Sequence, residues 1–139
     1  KDGKNQLLRT EALRRLPGLR RHAKGVEAVS EALLNAGLPE EAWKVAEAGL
    51  PEVEAPSILR LQLAKVSARS GLHPNEALRH VDQALAGPME GGSGGLPALR
   101  WRQGQILKAL GRREEARAAA SEALRLDPQH RGARALLEP

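Results

Sequence analysis

The sequence predicts an all-α fold of stacked helical hairpins, and three observations carry that prediction. The first is an internal repeat. Ala23 to Leu50, Ser57 to Leu85 and Pro97 to Leu124 each read as a helical run, a Gly, a short polar turn, an Ala and a second helical run. The second is the lack of any sustained two-residue alternation of β-branched side chains, so no sheet is expected. The third is composition: the 139 residues include no Phe, Tyr or Cys, one Met and two Trp, so a core must be built from Leu, Ala, Val and Ile. This length makes one domain at most.

The expected helices are 5–16, 23–36, 39–50, 57–70, 74–86, 97–110, 113–126 and 131–137. Residues 1–22 are expected to form an N-terminal partial repeat or capping helix. The hairpins are 23–55, 56–95 with a long Gly-rich loop, and 96–130, and 131–139 is a C-terminal capping helix. Gly37, Gly71 and Gly111 follow the first helix of each hairpin, where a left-handed C-terminal residue is wanted. Pro39 and Pro74 stand near the start of the next helix, where a missing N–H costs nothing. Glu40, Glu41, Glu76, Glu114 and Glu115 put negative charge in a first turn, where the helix dipole favours it. Ala42, Ala77 and Ala116 let the two helices of a hairpin approach closely, and Ala84 and Ala123 recur seven residues on. Gly49 takes that place in the first unit and weakens its helix by roughly 1 kcal/mol relative to Ala. The first two turn glycines are 34 residues apart and the next two 40. The longer spacing is one residue inside the second turn (HPNEA against PEEA) plus five in the loop 87–96.

Formal charge is +5, unevenly laid down. Residues 1–24 carry eight Lys/Arg against two acids, 25–96 five against ten, and 97–139 nine against five. Basic ends attract anions. Nucleic acid is a poor candidate, because aromatics are nearly absent and most Arg alternate with Glu at helical spacing. Without Cys there is no disulfide scaffold, thiolate metal site or thiol nucleophile, and this does not choose a redox compartment. No apolar run approaches the ~18–20 residues of a membrane helix.

Candidates for chemistry fall away one by one. His22, His73, His80 and His130 have no spacing that puts two imidazoles on one helical face, so no metal is expected. Gly91-Gly92-Ser93-Gly94-Gly95 matches G-x-S-x-G in letters only, since a nucleophile elbow needs a preceding strand. It reads as a flexible loop, or as a linker of artificial type, although the repeat order continues across it. The pairs Glu40/Glu41, Glu52/Glu54 and Glu114/Glu115 lie in turns or first turns with no apolar pocket to raise a carboxyl pKa. Gly104 and Gly111 are not a phosphate loop. No catalytic residue and no cofactor is expected, and the chain is read as a non-enzyme.

The stretch from Pro97 to His130 resembles a tetratricopeptide repeat: Gly104, Gly111, Ala116, Ala123, Leu124, Leu126, Asp127 and Pro128 fall where that family's signature places them. The second unit matches with Leu63, Ala64, Gly71, Ala77, Ala84 and Leu85 but lacks the closing Asp-Pro. The first has Ser30 where the third has Gly104, and Leu107 and Ala120 stand where family members carry bulky aromatics. The resemblance spans roughly 23–130. It implies a right-handed α-α superhelix, a solenoid of about three hairpins with partial flanking helices, whose first helices line a concave groove for an extended peptide or a partner helix.

One stripe of each first helix is expected to face that groove. It gives Glu27, Glu31, Leu34 and Asn35, then Leu61, Lys65, Ala68 and Arg69, then Trp101, Gln105, Lys108 and Ala109, with Arg102 beside it. Such a groove has an acidic end and a basic end, and suits a protein or peptide partner with acidic residues toward Lys65, Arg69 and Lys108. Trp101 either supplies apolar area or a cation–π contact, or packs between hairpins. Trp43, on a second helix, is expected on the convex side or against the N-terminal helix. The carboxylate-binding set of co-chaperone members of the family is not expected, because Glu27 and Glu31 occupy places that would need positive or amide groups. The function expected is thus a protein-interaction module or scaffold. The alternative is a structural or self-association segment of a larger multi-repeat protein, joined through its terminal helices.

Overall fold

The computed structural model describes residues 22–88 and 95–138. Their helices are α1 (Ala23–Asn35), α2 (Pro39–Gly49), α3 (Pro56–Ser70), α4 (Pro74–Ala86), α5 (Gly95–Ala109), α6 (Arg113–Leu126) and α7 (Arg131–Leu137). A 3-10 turn, Leu50–Glu52, follows α2, and no strand occurs among the described residues. The expected helix 5–16 and the Gly-rich residues 91–94 lie outside them.

The hairpins are α1–α2, α3–α4 and α5–α6, and each closes on a glycine with positive φ: Gly37 at 81°, Gly71 at 81° and Gly111 at 80°. Turns one and three share one hydrogen-bond pattern. Leu38 N donates to Leu33 O and Gly37 N to Leu34 O, as Arg112 N does to Leu107 O and Gly111 N to Lys108 O. The second turn has instead the single bond from Gly71 N to Ser67 O, 2.8 Å. Its extra residue is His73, which caps α4 in a left-handed conformation, φ 49° and ψ 47°.

Five boundaries differ from expectation: α1 ends at Asn35, α3 begins at Pro56 and α5 ends at Ala109, each one residue from the expected bound, and the start of α5 and the end of α2 differ as well. Helix α5 begins at Gly95, inside the segment expected as loop. Pro97 permits this because an N–H in a first turn has no intrahelical acceptor in any case. Helix α2 ends at Gly49, and Leu50 joins the 3-10 turn. Gly49 itself is set by space, since a Cβ there would lie 3.0 Å from Val26 and 3.2 Å from Leu59. The helix-weakening glycine is what lets α2 sit against both α1 and α3.

The first helices pack side by side, α1 on α3 and α3 on α5, while the backbones of α2, α4 and α6 stand farther apart. The stack therefore curves with first helices inside and second helices outside. Val26, Leu33, Leu59, Leu63, Val66, Val81, Leu99 and Ile106 are the large, fully enclosed apolar side chains along its centre. Helix α7 lies across α5 and α6 with Ala133 buried, and turns Arg131, Arg134 and Glu138 to solvent. Among the described residues no helix is long and apolar enough to cross a membrane, and no group of His, Asp and Glu is arranged to hold a metal ion.

Candidate functional site

The inner face is built by positions that repeat relative to the turn glycines. Ten residues before each glycine stand Glu27, Leu61 and Trp101, nine before stand Ala28, Gln62 and Arg102, and six before stand Glu31, Lys65 and Gln105. Side chains at such spacings share one face of a helix.

Glu31 is the hub. Lys65 Nζ donates to Glu31 Oε2 at 2.7 Å, and Arg69 Nη1 lies 3.8 Å from the same oxygen. Gln62 Nε2 donates to Glu31 Oε1 at 3.3 Å and to Ser30 Oγ at 3.1 Å, and Ser30 Oγ in turn donates to Ala42 O at 2.9 Å. Arg69 also donates to Asn35 Oδ1 at 3.3 Å. Burial alone would raise the Glu31 pKa, but the hydrogen bonds from Lys65 and Gln62 and the charges of Lys65 and Arg69 hold it below the ordinary value. Glu27 is pushed the other way, chiefly by burial, with Lys65 opposing and Glu31 adding to the rise. The charges expected at opposite ends of the groove thus meet in its middle.

The third hairpin carries a different arrangement. The Arg102 guanidinium lies over the Trp101 ring, 3.8 Å from its centroid, and Arg102 Nη1 donates to Gln105 Oε1 at 2.9 Å. Among the described residues Arg102 has no carboxylate in salt-bridge range. Burial and then the charge of Arg69 lower its pKa, with Glu31 opposing. Trp101 is also walled off on the α7 side, where its ring lies 5.1 Å from that of His130 and 2.4–2.8 Å from where a Cβ on Gly132 would be. It is both a packing residue and the platform for Arg102.

Not every expected groove residue joins this face. Leu34 is buried in the core, and Leu61 and Ala68 are packed against it. Their apolar character prevails over their place on the stripe, and the polar positions beside them are left to line the groove. Lys108 lines a separate cleft with Arg113, Ala116, Arg117, Leu136, Leu137 and Glu138, on the side of α5 toward α7. Trp43 is 3% exposed and lies on the outer side, stacked on His73 with ring centroids 4.7 Å apart and tilted against His80 at 5.9 Å. Sequence reasoning passed over Gln62 and Ser30. Their signal was the register itself: Gln62 occupies the position of Arg102, and Ser30 that of Gly104.

Residues 97–130, which span α5, α6 and the turn after them, match the family described as tetratricopeptide repeat. This segment is a tetratricopeptide repeat. The stack around it is a helical-repeat solenoid of the kind such repeats build. Tetratricopeptide repeats generally mediate protein–protein interaction, and the family is typically non-catalytic. No curated protein and no solved structure gives a significant match to the chain.

Proposed function

We propose that the chain is a protein-interaction module that holds an extended peptide, or one face of a partner helix, against the inner sides of α1, α3 and α5. The reading rests on Arg102. It is partly buried, lies over the Trp101 ring and lacks a carboxylate among the described residues, whereas Lys65 and Arg69 already share Glu31. A desolvated cation without a counter-ion favours an anionic group brought by a partner. The acidic residue of the ligand therefore belongs at Arg102, with Trp101 and Gln105 beside it, and Lys65, Arg69, Glu31 and Glu27 set the charge pattern further along. Side chains fixed on rigid helices keep the ordering cost of binding low.

End-to-end self-association has weaker support, because α7 presents Arg131, Arg134 and Glu138 outward and the exposed large apolar side chain among the described residues is Leu110, at 37%. The test is a calorimetric titration of short extended peptides that carry one Asp or Glu, with Asn/Gln counterparts as controls. Acidic peptides are expected to bind, and Arg102→Ala is expected to weaken them at least ~10-fold with helicity retained. Equal affinity for acidic and neutral peptides, or for the variant, overturns the assignment.

A further inference from the structure

The residue inserted in the second turn is His73, and its ring stands between carboxylates of the two outer helices of hairpins 1 and 2. Its Nε2 lies 2.9 Å from Glu40 Oε1 on α2, and its Nδ1 lies 3.1 Å from Glu76 Oε2 on α4. Trp43 of α2 stacks on the ring at 4.7 Å with the planes 29° apart. A neutral imidazole has one N–H and one lone pair, so it satisfies one carboxylate and repels the other, and only the imidazolium donates to both. The left-handed backbone at His73 is uncommon for a residue with a side chain. That conformation aims the ring across the gap. The turns after Gly37 and Gly111 have no such residue.

We propose that His73 is an imidazolium clip, which closes the outer rim of the junction between hairpins 1 and 2 and opens it on losing its proton. The inner rim of the same junction is closed by Glu31–Lys65, whose carboxyl is held below its ordinary pKa, and by Gln62–Ser30, which carries no charge. One rim is thus constant and the other is set by pH. Loss of the outer contact lets α2 and α4 part about the inner rim and changes the curvature of the stack.

The groups around the clip fix the sign. From α2 come Glu40 and Glu47, from α4 Glu76, Arg79 and His80, and from α3 Arg60. The hydrogen bond to Glu40 leads those influences that hold the His73 pKa above its ordinary value, against a smaller opposing effect of burial, with Glu76 adding to the rise. A raised folded-state pKa means the contact is full below the unfolded value, about 6.5, and is lost as pH climbs through the folded one. His80 runs opposite. Burial lowers its pKa first, Arg60 and Arg79 add to that, and Glu47 at 3.9 Å resists. Its contribution is present above about 6.5 and is lost as pH falls through its folded value.

The experiment is an NMR titration of the imidazoles of the intact chain, with amide hydrogen exchange at about pH 6 and about pH 8. The His73 midpoint is expected above that of a free histidine, and Glu40→Gln is expected to bring it down. Protection of the α2 and α4 amides, corrected for intrinsic rates, is expected to fall severalfold over that interval in the native chain and to stay level or rise in His73→Gln, where His80 alone titrates at the junction. A His73 midpoint at or below the free value overturns the clip. So does an equal loss of protection in His73→Gln.

Discussion

Hairpins 1 and 2 are joined by polar side chains at both rims, whereas hairpins 2 and 3 meet through apolar ones. At the first junction Glu31, Lys65 and Gln62 bridge the inner helices, and His73, Glu40 and Trp43 bridge the outer pair. At the second, Leu99 and Ile106 enter the shared core and Leu78 reaches across to Leu107, Ala116 and Ala119. Among the described residues no ion pair joins α3 to α5 or α4 to α6. Arg69 and Arg102 there oppose each other with like charge. Helix α4 also lies less extensively on α5 than α2 does on α3. Repetition of a hairpin thus fixes the stacking direction but not the chemistry of the seam. One seam is specified by hydrogen bonds and titration, the other by volume.

If that contrast holds, the largest effect belongs to Leu99→Ala, which removes a fully buried side chain at the apolar seam. The expected cost is about 3 kcal/mol, with urea unfolding split into two transitions as hairpin 3 uncouples. A loss below ~1 kcal/mol with one sharp transition would mean the seam is held by something else. Next comes Gly132→Ala, at the third seam between hairpin 3 and α7. The added Cβ would overlap the Trp101 ring, so either α7 or the ring must move. The expected cost is about 2 kcal/mol, with Trp101 emission moved to longer wavelength. An unshifted spectrum with unchanged stability would show that the ring does not pack against Gly132.

The seams were unequally legible in the sequence. Turn glycines, Pro-led helix starts and the small residues facing each other across a hairpin mark local backbone needs, so the helices among the described residues were readable to within a residue or two. Gly95 escaped because a Gly-rich run looks like loop until Pro97 is recognised as a first-turn residue. The inner-face stripe was readable as a register. Which of its members would be enclosed was not, because Leu34, Leu61 and Ala68 share the spacing of the stripe with their polar neighbours, and how far the adjacent helix covers each is set by the fold. The meeting of Glu31 with Lys65, and of His73 with Glu40, joins residues more than thirty positions apart. Hairpin curvature decides such pairs, and no local pattern encodes it. The inserted residue before Pro74 was visible as an anomaly of spacing, and only the fold shows where its ring goes.

A smaller effect is expected from Gln62→Leu, which keeps the volume and deletes the amide at the polar seam. Gln62 is 2% exposed, and its two bonds tie α3 to Ser30 and Glu31. Ser30 keeps its bond to Ala42 O, and Glu31 keeps Lys65, so the loss is about 1 kcal/mol by denaturation. A neutral or stabilising result would put the seam's specificity in its ion pairs alone.

The smallest change in stability should come from Glu31→Gln, and it sharpens the comparison most. The carboxylate and Lys65 are each about a third exposed, with side chains at 30% and 29%, so the pair is screened and its loss costs less than ~1 kcal/mol. The Glu31 pKa is depressed in the fold, so this contribution is present above the unfolded carboxylate value and is lost as pH falls through the folded one. Native chain and variant should therefore converge in stability on acidification, and more so in high salt. Binding should move the other way. Without Glu31, Lys65 and Arg69 lose the carboxylate they share among the described residues, Glu27 alone still acting on Lys65, and an acidic peptide has less internal competition. Affinity for such a peptide is expected to rise severalfold at low salt, while the neutral counterpart is unaffected. A fall in affinity would show that Glu31 orients the cations for the ligand rather than standing in for it, and would align the two hairpin seams in function despite their difference in chemistry.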